Sequence, residues 1–301
     1  MKVLIVHSGK NGRISPYIQE QANSLEEIGI DVDFFAISKS GVLGYLSHFN
    51  KYYAKLREFK PDIVHAHYGL SGLFANVQRK VPVITSFHGS DVYIKKIWFF
   101  SKTANLLSKE TVFVSKKLKQ KLNTKKGEVI TCGVDFGQFY PREEELDGNY
   151  FALFAGGFDN PVKNYPLAQA SVDEYNKNND SKIELVELIN YSREEVANLM
   201  RRARFLLITS AYEGSSQVLK EAMASNCPVI STNVGSVSEL LENSSGIIVE
   251  PDFKTISKAI KEVLIKRTNY SNGRLALENQ RISLSETAKK LSDLYSKVLL
   301  E

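Results

Sequence analysis

Only two cysteines, Cys132 and Cys227, occur in 301 residues, and they stand 95 positions apart. No Cys-x-x-Cys pair exists and the histidines are five, His7, His48, His65, His67 and His88. A disulfide framework or a structural zinc site is therefore not expected, and both cysteines read as small, partly buried, reduced residues. No apolar run approaches the ~20 residues of a membrane span. The N-terminal Val3-Leu4-Ile5-Val6 falls short of the about 7–15 apolar residues of a secretory signal, so it reads as a first strand, and a cytoplasmic setting is expected. Three nucleotide and hydrolase signatures are also missing. Gly9-Lys10-Asn11-Gly12, Gly41-Val42-Leu43-Gly44 and Gly156-Gly157 all fail the G-x-G-x-x-G spacing, and neither a P-loop nor a G-x-S-x-G elbow occurs. These absences argue against nicotinamide oxidoreductases, P-loop ATPases and serine hydrolases.

What is present is ordinary for a folded chain: 43% apolar and 24% charged residues. The length suggests about two domains, each able to bury its own core. The net charge of +5 is unevenly spread: residues 1–141 carry +9 and the remainder −4. A basic half suggests an anionic partner, nucleic acid, a phosphate-bearing ligand or a membrane surface; the plain alternative is a solvated charged face.

Short β-branched runs alternate with helical patterns in both halves. Strands are expected at Lys2–Val6, Asp31–Ile37, Asp62–Ala66, Val81–Phe87, Glu110–Val114 and Val129–Thr131, then at Phe151–Ala155, Ile183–Leu188, Phe205–Thr209, Pro228–Ser231 and Gly246–Val249. Ser15-Pro16-Tyr17 reads as a helix start, followed by Ile18, Ala22, Leu25 and Ile28 at helical spacing and by Gly29 as the stop. In the second half helices are expected at about Pro166–Tyr175, Arg193–Arg202, Ser215–Ser225, Ser236–Leu241 and Thr255–Lys266, with helical sequence again from Gly273 to Leu300. This alternation implies α/β domains with doubly wound parallel sheets and a ligand at the carboxyl ends of the strands, in a cleft between the two. The charged stretch Tyr140–Asn149 has linker composition. The domains are therefore set at 1–141 and 142–282, with 283–301 a C-terminal helix that can pack back on the first domain.

The segment from Arg204 to Pro251 carries the chemistry. Strand Phe205–Thr209 leads through Ser210-Ala211-Tyr212 to Glu213-Gly214-Ser215-Ser216 and the helix Gln217–Ala224. A helix start after a Gly-Ser-Ser turn offers free amides and partial positive charge to a diphosphate. Glu213 and Glu221, eight positions apart, can each accept from a pair of sugar hydroxyls on different parts of an elongated ligand. Taken alone, the two glutamates read first as a helix-capping residue and a surface helix residue, since so short a motif recurs by accident.

The block from Thr209 to Ala224 resembles the Glu-x7-Glu region of retaining glycosyltransferases of family 4 (glycosyl transferases group 1), with Glu213 and Glu221 as its glutamates. Pro228–Gly235 with Glu239, Gly246–Val249, Ser192–Met200 and Gly133-Val134-Asp135 extend the resemblance. It implies the GT-B fold of two Rossmann-like domains and transfer of a sugar, with retention, from a nucleoside-diphosphate donor of UDP or GDP type to an acceptor hydroxyl. Family members of this kind build bacterial surface polysaccharide, lipopolysaccharide or glycolipid, so the implied acceptor is a saccharide or a lipid-linked saccharide. No nucleic-acid partner and no bound metal are expected. Asp31-Val32-Asp33 fits Asp-x-Asp formally but lies in a strand of the other domain.

By resemblance, Glu213 contacts the donor sugar, Glu221 the ribose, and Lys163 the diphosphate, with Gly156, Gly157, Asn190, Gly214, Ser215 and Ser216 around the donor. His88, in Phe87-His88-Gly89-Ser90-Asp91, lies against the donor sugar and reacting phosphate, and Gly9, Arg13, His67 and Asp91 line the acceptor side. His65 and His67 read as cleft lining, one ring to each side of the strand. The chain departs from the family at Gly157, where an arginine usually grips the diphosphate; Lys220 or Arg13 is a candidate replacement. A non-catalytic sugar-nucleotide-binding subunit and a GT-B epimerase are the competing readings. The basic apolar stretch Tyr93–Lys102, with the single tryptophan Trp98, reads either as a helix lying on an anionic bilayer at the inner face of the cytoplasmic membrane or as one whose aromatics enter the core.

Overall fold

The computed structural model describes residues 1–9, 13–39, 41–142, 151–265 and 271–301, with Val42 by its backbone alone. The chain divides into two compact units, Met1–Gly133 with Leu284–Glu301, and Val134–Ser283. Most of the charged stretch expected as a seam, and most of the first glycine-bearing loop, lie outside the described residues.

The first unit runs β1 (Lys2–Ser8), α1 (Pro16–Glu26), β2 (Asp31–Ile37), α2 (Gly41–Leu46), α3 (Phe49–Phe59), β3 (Ile63–His67), α4 (Gly69–Ala75), β4 (Val83–Phe87), α5 (Ser90–Tyr93), α6 (Lys95–Leu107), β5 (Glu110–Phe113), α7 (Lys116–Leu122) and β6 (Glu128–Val129). Its strands form one parallel sheet in the order β2-β1-β3-β4-β5-β6. Alternation along β1 sorts the core into two layers. Val3 and Ile5 face Ile18, Ala22 and Leu25 of α1, whereas Leu4 and Val6 share a layer with Tyr52 and Phe74 of α3 and α4.

The second unit runs β7 (Phe151–Phe154), α8 (Tyr165–Lys177), β8 (Glu184–Glu187), α9 (Arg193–Arg202), β9 (Leu206–Ile208), α10 (Gln217–Ala224), β10 (Val229–Thr232), α11 (Val237–Leu240), β11 (Ile247–Val249), α12 (Phe253–Ile265) and α13 (Gly273–Asn279). Five parallel strands lie in the order β11-β10-β9-β7-β8. Leu153, Leu206 and Ile208 face α9 and α10; Phe154, Phe205 and Leu207 face α8 and α12. Helix α9 starts on a capping box: Ser192 Oγ accepts from the Glu195 amide at 3.2 Å and Glu195 Oε2 from the Ser192 amide at 2.7 Å.

The long helical sequence expected from Gly273 onward is interrupted. Arg281 takes the left-handed region at φ 56°, and α14 (Leu284–Leu300) begins after it and joins the first unit. There Ala288, Leu291, Leu294, Tyr295 and Val298 complete the layer against α1.

The segment Tyr93–Lys102 divides between its two readings. Trp98 packs at the edge of the cluster around Phe87 and Phe113, while Phe99 and Phe100 are exposed. Among the described residues no helix is long and apolar enough to cross a membrane.

Candidate active site

In the second unit the site is built at the carboxyl ends of β7 and β9. Beyond β7 the chain reaches Gly156, whose φ of 148° suits glycine. A Cβ there would stand 2.9 Å from Cγ of Lys163, so the lysine side chain lies across the glycine. Lys163 ends a short 3-10 turn, Pro161–Lys163, capped by Asn160 accepting from the Val162 amide at 3.0 Å. Thr209 pins this turn by donating to the carbonyls of Lys163 (2.9 Å) and Asn164 (3.1 Å). The Ala211 amide donates to the Val162 carbonyl at 2.8 Å.

Glu213 stands in the loop between β9 and α10. Its Oε1 accepts from Lys163 Nζ at 2.6 Å and from Ser210 Oγ at 2.7 Å. Both partners of the ion pair keep some exposure, 20% for the lysine side chain and 14% for the glutamate. The turn that follows is held from behind by Gly235, at φ 51°, where a Cβ would come within 2.6 Å of the Glu213 carbonyl and 2.8 Å of the Gly214 carbonyl. Ser216 caps α10, accepting from the Leu219 amide at 3.4 Å. The Ser215 hydroxyl is buried and meets no hydrogen-bond partner among the described residues, so it is a donor left over for a ligand. Lys163 thus meets Glu213 and lies across Gly156, with Gly214 and Ser215 following Glu213 in the chain; the sequence placed Lys163 and Gly156 with them only through the family resemblance. Ser210 and Gly235 are additions that no sequence pattern marked as functional.

Glu221 lies on α10, 1% exposed. Its Oε1 is 2.8 Å from Nη2 of Arg193, and that guanidinium also lies 4.8 Å from the centre of the Phe139 ring. The ribose role implied for Glu221 therefore involves a carboxylate that already has a cationic partner. Asn190 is exposed beyond β8 in the left-handed region at φ 61°, and no described contact brings it to Lys163 or Glu213. Ile189 lies beside Gly157: a Cβ at that position would meet Ile189 Cδ1 at 2.0 Å, the end of a side chain that would have to move aside. Lys220 is wholly buried, so one of the two candidates to replace the missing arginine is withdrawn: a lysine sealed into the protein interior presents no charge to a diphosphate. Arg13, the other, is exposed in the first unit.

The first unit gathers a separate cluster around His88. Nε2 of His88 is 3.0 Å from Nδ1 of His67, one of the two carrying the proton that joins them. The His88 ring packs between Tyr17 and Tyr68, with centroids 5.2 and 4.8 Å away, and the two phenol oxygens are 2.6 Å apart. Tyr68 holds φ 73°, a conformation rare for a large side chain. His65 and His67 do not face opposite sides. Their rings stack at 4.7 Å, because residues two apart on a strand share a face. His65 is wholly buried between Tyr295 Oη at 2.6 Å and Ser86 Oγ at 2.7 Å, and burial lowers its pKa to about 3. Burial, with the neighbouring His65, His88 and His7, holds His67 well below the ordinary imidazole value.

Asp91 is turned inward rather than toward an acceptor. Its carboxylate accepts from the amides of Gly89 (2.8 Å), His88 (3.2 Å) and Gly69 (3.2 Å). Burial outweighs those hydrogen bonds and raises its pKa to about 6. Its work is to shape the loop that carries His88. Gly9 donates to the Ile37 carbonyl at 3.3 Å, and a Cβ there would meet the Arg13 carbonyl at 2.1 Å, so Gly9 and Arg13 lie close together. Asp31 and Asp33 are used on the surface of β2, paired with Lys2 at 3.5 Å and with Lys55. Among the described residues no group of three His, Cys, Asp or Glu side chains gathers as a cation site.

A family model described as Glycosyl transferases group 1 matches residues 153–266, and one described as Glycosyltransferase Family 4 matches residues 18–138. The chain belongs to the family 4, group 1 glycosyltransferases. This glycosyltransferase is 28% identical over 271 residues to an uncharacterised glycosyltransferase of Methanocaldococcus jannaschii, covering 78% of this chain and 71% of that one. It is 26% identical over 231 residues to TuaC of Bacillus subtilis, named for teichuronic acid biosynthesis, covering 65% of this chain and 59% of TuaC. Its fold is GT-B. Sucrose-phosphate synthase from Thermosynechococcus elongatus superposes with a TM-score of 0.81 at 18% identity over 99% of both chains. Anabaena HepE in complex with UDP-glucose gives 0.74 at 15% identity, over 98% of this chain and 99% of that one.

Proposed function

We propose that this glycosyltransferase moves a sugar, with retention of anomeric configuration, from a nucleoside-diphosphate donor to a saccharide acceptor in surface-polysaccharide or glycolipid synthesis. The observation that carries the reading is the contact of Lys163 Nζ with Glu213 Oε1 at 2.6 Å, beside the unpartnered Ser215 hydroxyl at the start of α10. An ammonium and a free hydroxyl next to a helix N-terminus suit a diphosphate, and charge that grows on the leaving group is stabilised most by cations already in place. Glu213, released from Lys163 when the diphosphate takes its place, accepts from donor hydroxyls. Glu221 accepts from ribose hydroxyls while Arg193 holds its carboxylate. His88, with the proton it shares with His67, is suited to donate to a phosphate or hydroxyl oxygen. The HepE complex with UDP-glucose supports a UDP donor, and the naming of TuaC for teichuronic acid supports an acceptor in a cell-surface polymer.

Calorimetric titration with UDP and with GDP, in the wild type and in Glu221→Gln, tests the donor half. Binding of one of them, weakened about tenfold in the variant, is expected; loss of a hydrogen bond to a charged group is worth about 1.5–3 kcal/mol. Incubation with the matching sugar donor and mixed saccharide acceptors, followed by NMR of the product's anomeric proton, tests the rest. An inverted product overturns retention. Nucleotide binding with no turnover favours a binding subunit, which the absence of a basic side chain at Gly157 would then explain.

A further inference from the structure

The first unit has an apolar groove of about 470 Å³ walled by Tyr45, Phe49, Leu73, Phe74, Phe100 and Leu107, a size within the range of small-molecule sites. It continues onto the outward face of α6. That helix buries Ser101, Ala104 and Asn105, while Phe99 and Leu106, seven residues apart and so nearly aligned, are 68% and 72% exposed. Leu43, Leu46 and Val77 add exposed apolar surface from the other elements bordering the groove. A solvent-facing apolar face of this kind is unusual on a monomeric surface and marks an interaction site.

The charges around it have one sign. From Ser38 to Arg57 the chain has no carboxylate, and from His65 to Lys109 it has only Asp91, which is buried. Lys39, Arg79, Lys80, Lys95 and Lys96 are exposed. Apolar side chains bordered by cations match the two layers of an anionic bilayer, hydrocarbon below and phosphate above. We infer that α6 and the groove dock on an anionic membrane surface, Phe99 and Leu106 entering the acyl layer and the groove receiving one hydrocarbon chain. This inference is independent of the donor chemistry.

Sedimentation with phosphatidylglycerol-containing vesicles, against vesicles of phosphatidylcholine alone, tests it. Binding to the anionic vesicles, falling as salt rises, is expected. The pair Phe99→Ser, Leu106→Ser leaves the charge unchanged and is expected to weaken binding at least tenfold, with unfolding temperature and soluble-donor turnover preserved. Lys95→Glu with Lys96→Glu is expected to weaken it similarly. Tyr45→Trp places a fluorophore at the groove, and brominated acyl chains are expected to quench it. No vesicle binding, or binding indifferent to Phe99 and Leu106, overturns the membrane assignment. A concentration-dependent dimer abolished by the serine pair also overturns it, since the face would then join two copies of the chain. Absence of quenching removes the groove from it. None of these failures touches sugar transfer, which is measured in solution.

Discussion

At the scale of single residues, the second unit's candidate site depends on one lysine. Lys163 has no arginine at the Gly157 position to share its work; a Cβ there would meet only the end of the Ile189 side chain, which would have to move aside. Lys163→Ala is therefore expected to lower turnover by about 10- to 150-fold, the equivalent of roughly 1.5–3 kcal/mol for a hydrogen bond between charged groups. Binding of the nucleoside monophosphate should change far less. Steady-state kinetics beside calorimetry separates the two, and equal losses would show that the lysine is only a partner for Glu213. The glutamates and the Gly-Ser-Ser turn were legible in the sequence because they sit in one contiguous block with a chemical reason for its spacing, whereas Lys163, 50 positions before Glu213, was marked only by the family resemblance. Ser210, Gly235 and Arg193 were not singled out, because their roles come from contacts across 3, 22 and 28 positions that no local pattern encodes. The inward turn of Asp91 was equally hidden: a carboxylate in a loop reads the same whether it faces ligand or backbone.

Among the elements, strands and their parallel sense followed from alternation of runs, though not their order within each sheet, and β2 and α9 have the ends that sequence patterning set. Helix α14 begins at Leu284, within the C-terminal helix set at 283–301, and the stop before it rests on Arg281 in a left-handed conformation, which no sequence pattern marked. Strand β3 carries a consequence for pH. His65 is buried with its pKa lowered from 6.5 to about 3, so the unfolded chain binds a proton there before the folded one does. Its contribution is fully present above pH 6.5 and is lost as pH falls toward about 3, on the order of 5 kcal/mol in all. Asp91 acts in the opposite sense. Its raised value, about 6 against 3.8, gives a contribution present below 3.8 and lost as pH rises through about 6. Urea unfolding between pH 4 and 7.5 is expected to show a flatter acid-side decline in His65→Gln than in the wild type, and a steeper one in Asp91→Asn. Parallel profiles in all three proteins would remove these groups from the account.

On the scale of the whole molecule, the last helix belongs to the first unit. Leu291, Leu294, Tyr295 and Val298 are buried there, and each such side chain is worth about 1.5–3 kcal/mol when removed from water. That sum is comparable with the net stability of a domain. A chain ending at Ser283 is expected to lose cooperative unfolding of the first unit in calorimetry while the second keeps its own transition; two intact transitions would show that α14 only decorates the surface. The polypeptide accordingly crosses between the units twice, after Gly133 and after Ser283, and the second unit is in effect an insertion within the first. A single cut in residues 143–150, where the sequence has linker character, would sever the backbone without releasing either piece. The carboxyl-terminal fragment would still hold α14 in the core of the amino-terminal one. Two co-expressed polypeptides divided there should copurify through a tag on either and reconstitute one another by fragment complementation, and removing α14 from the second should end the association.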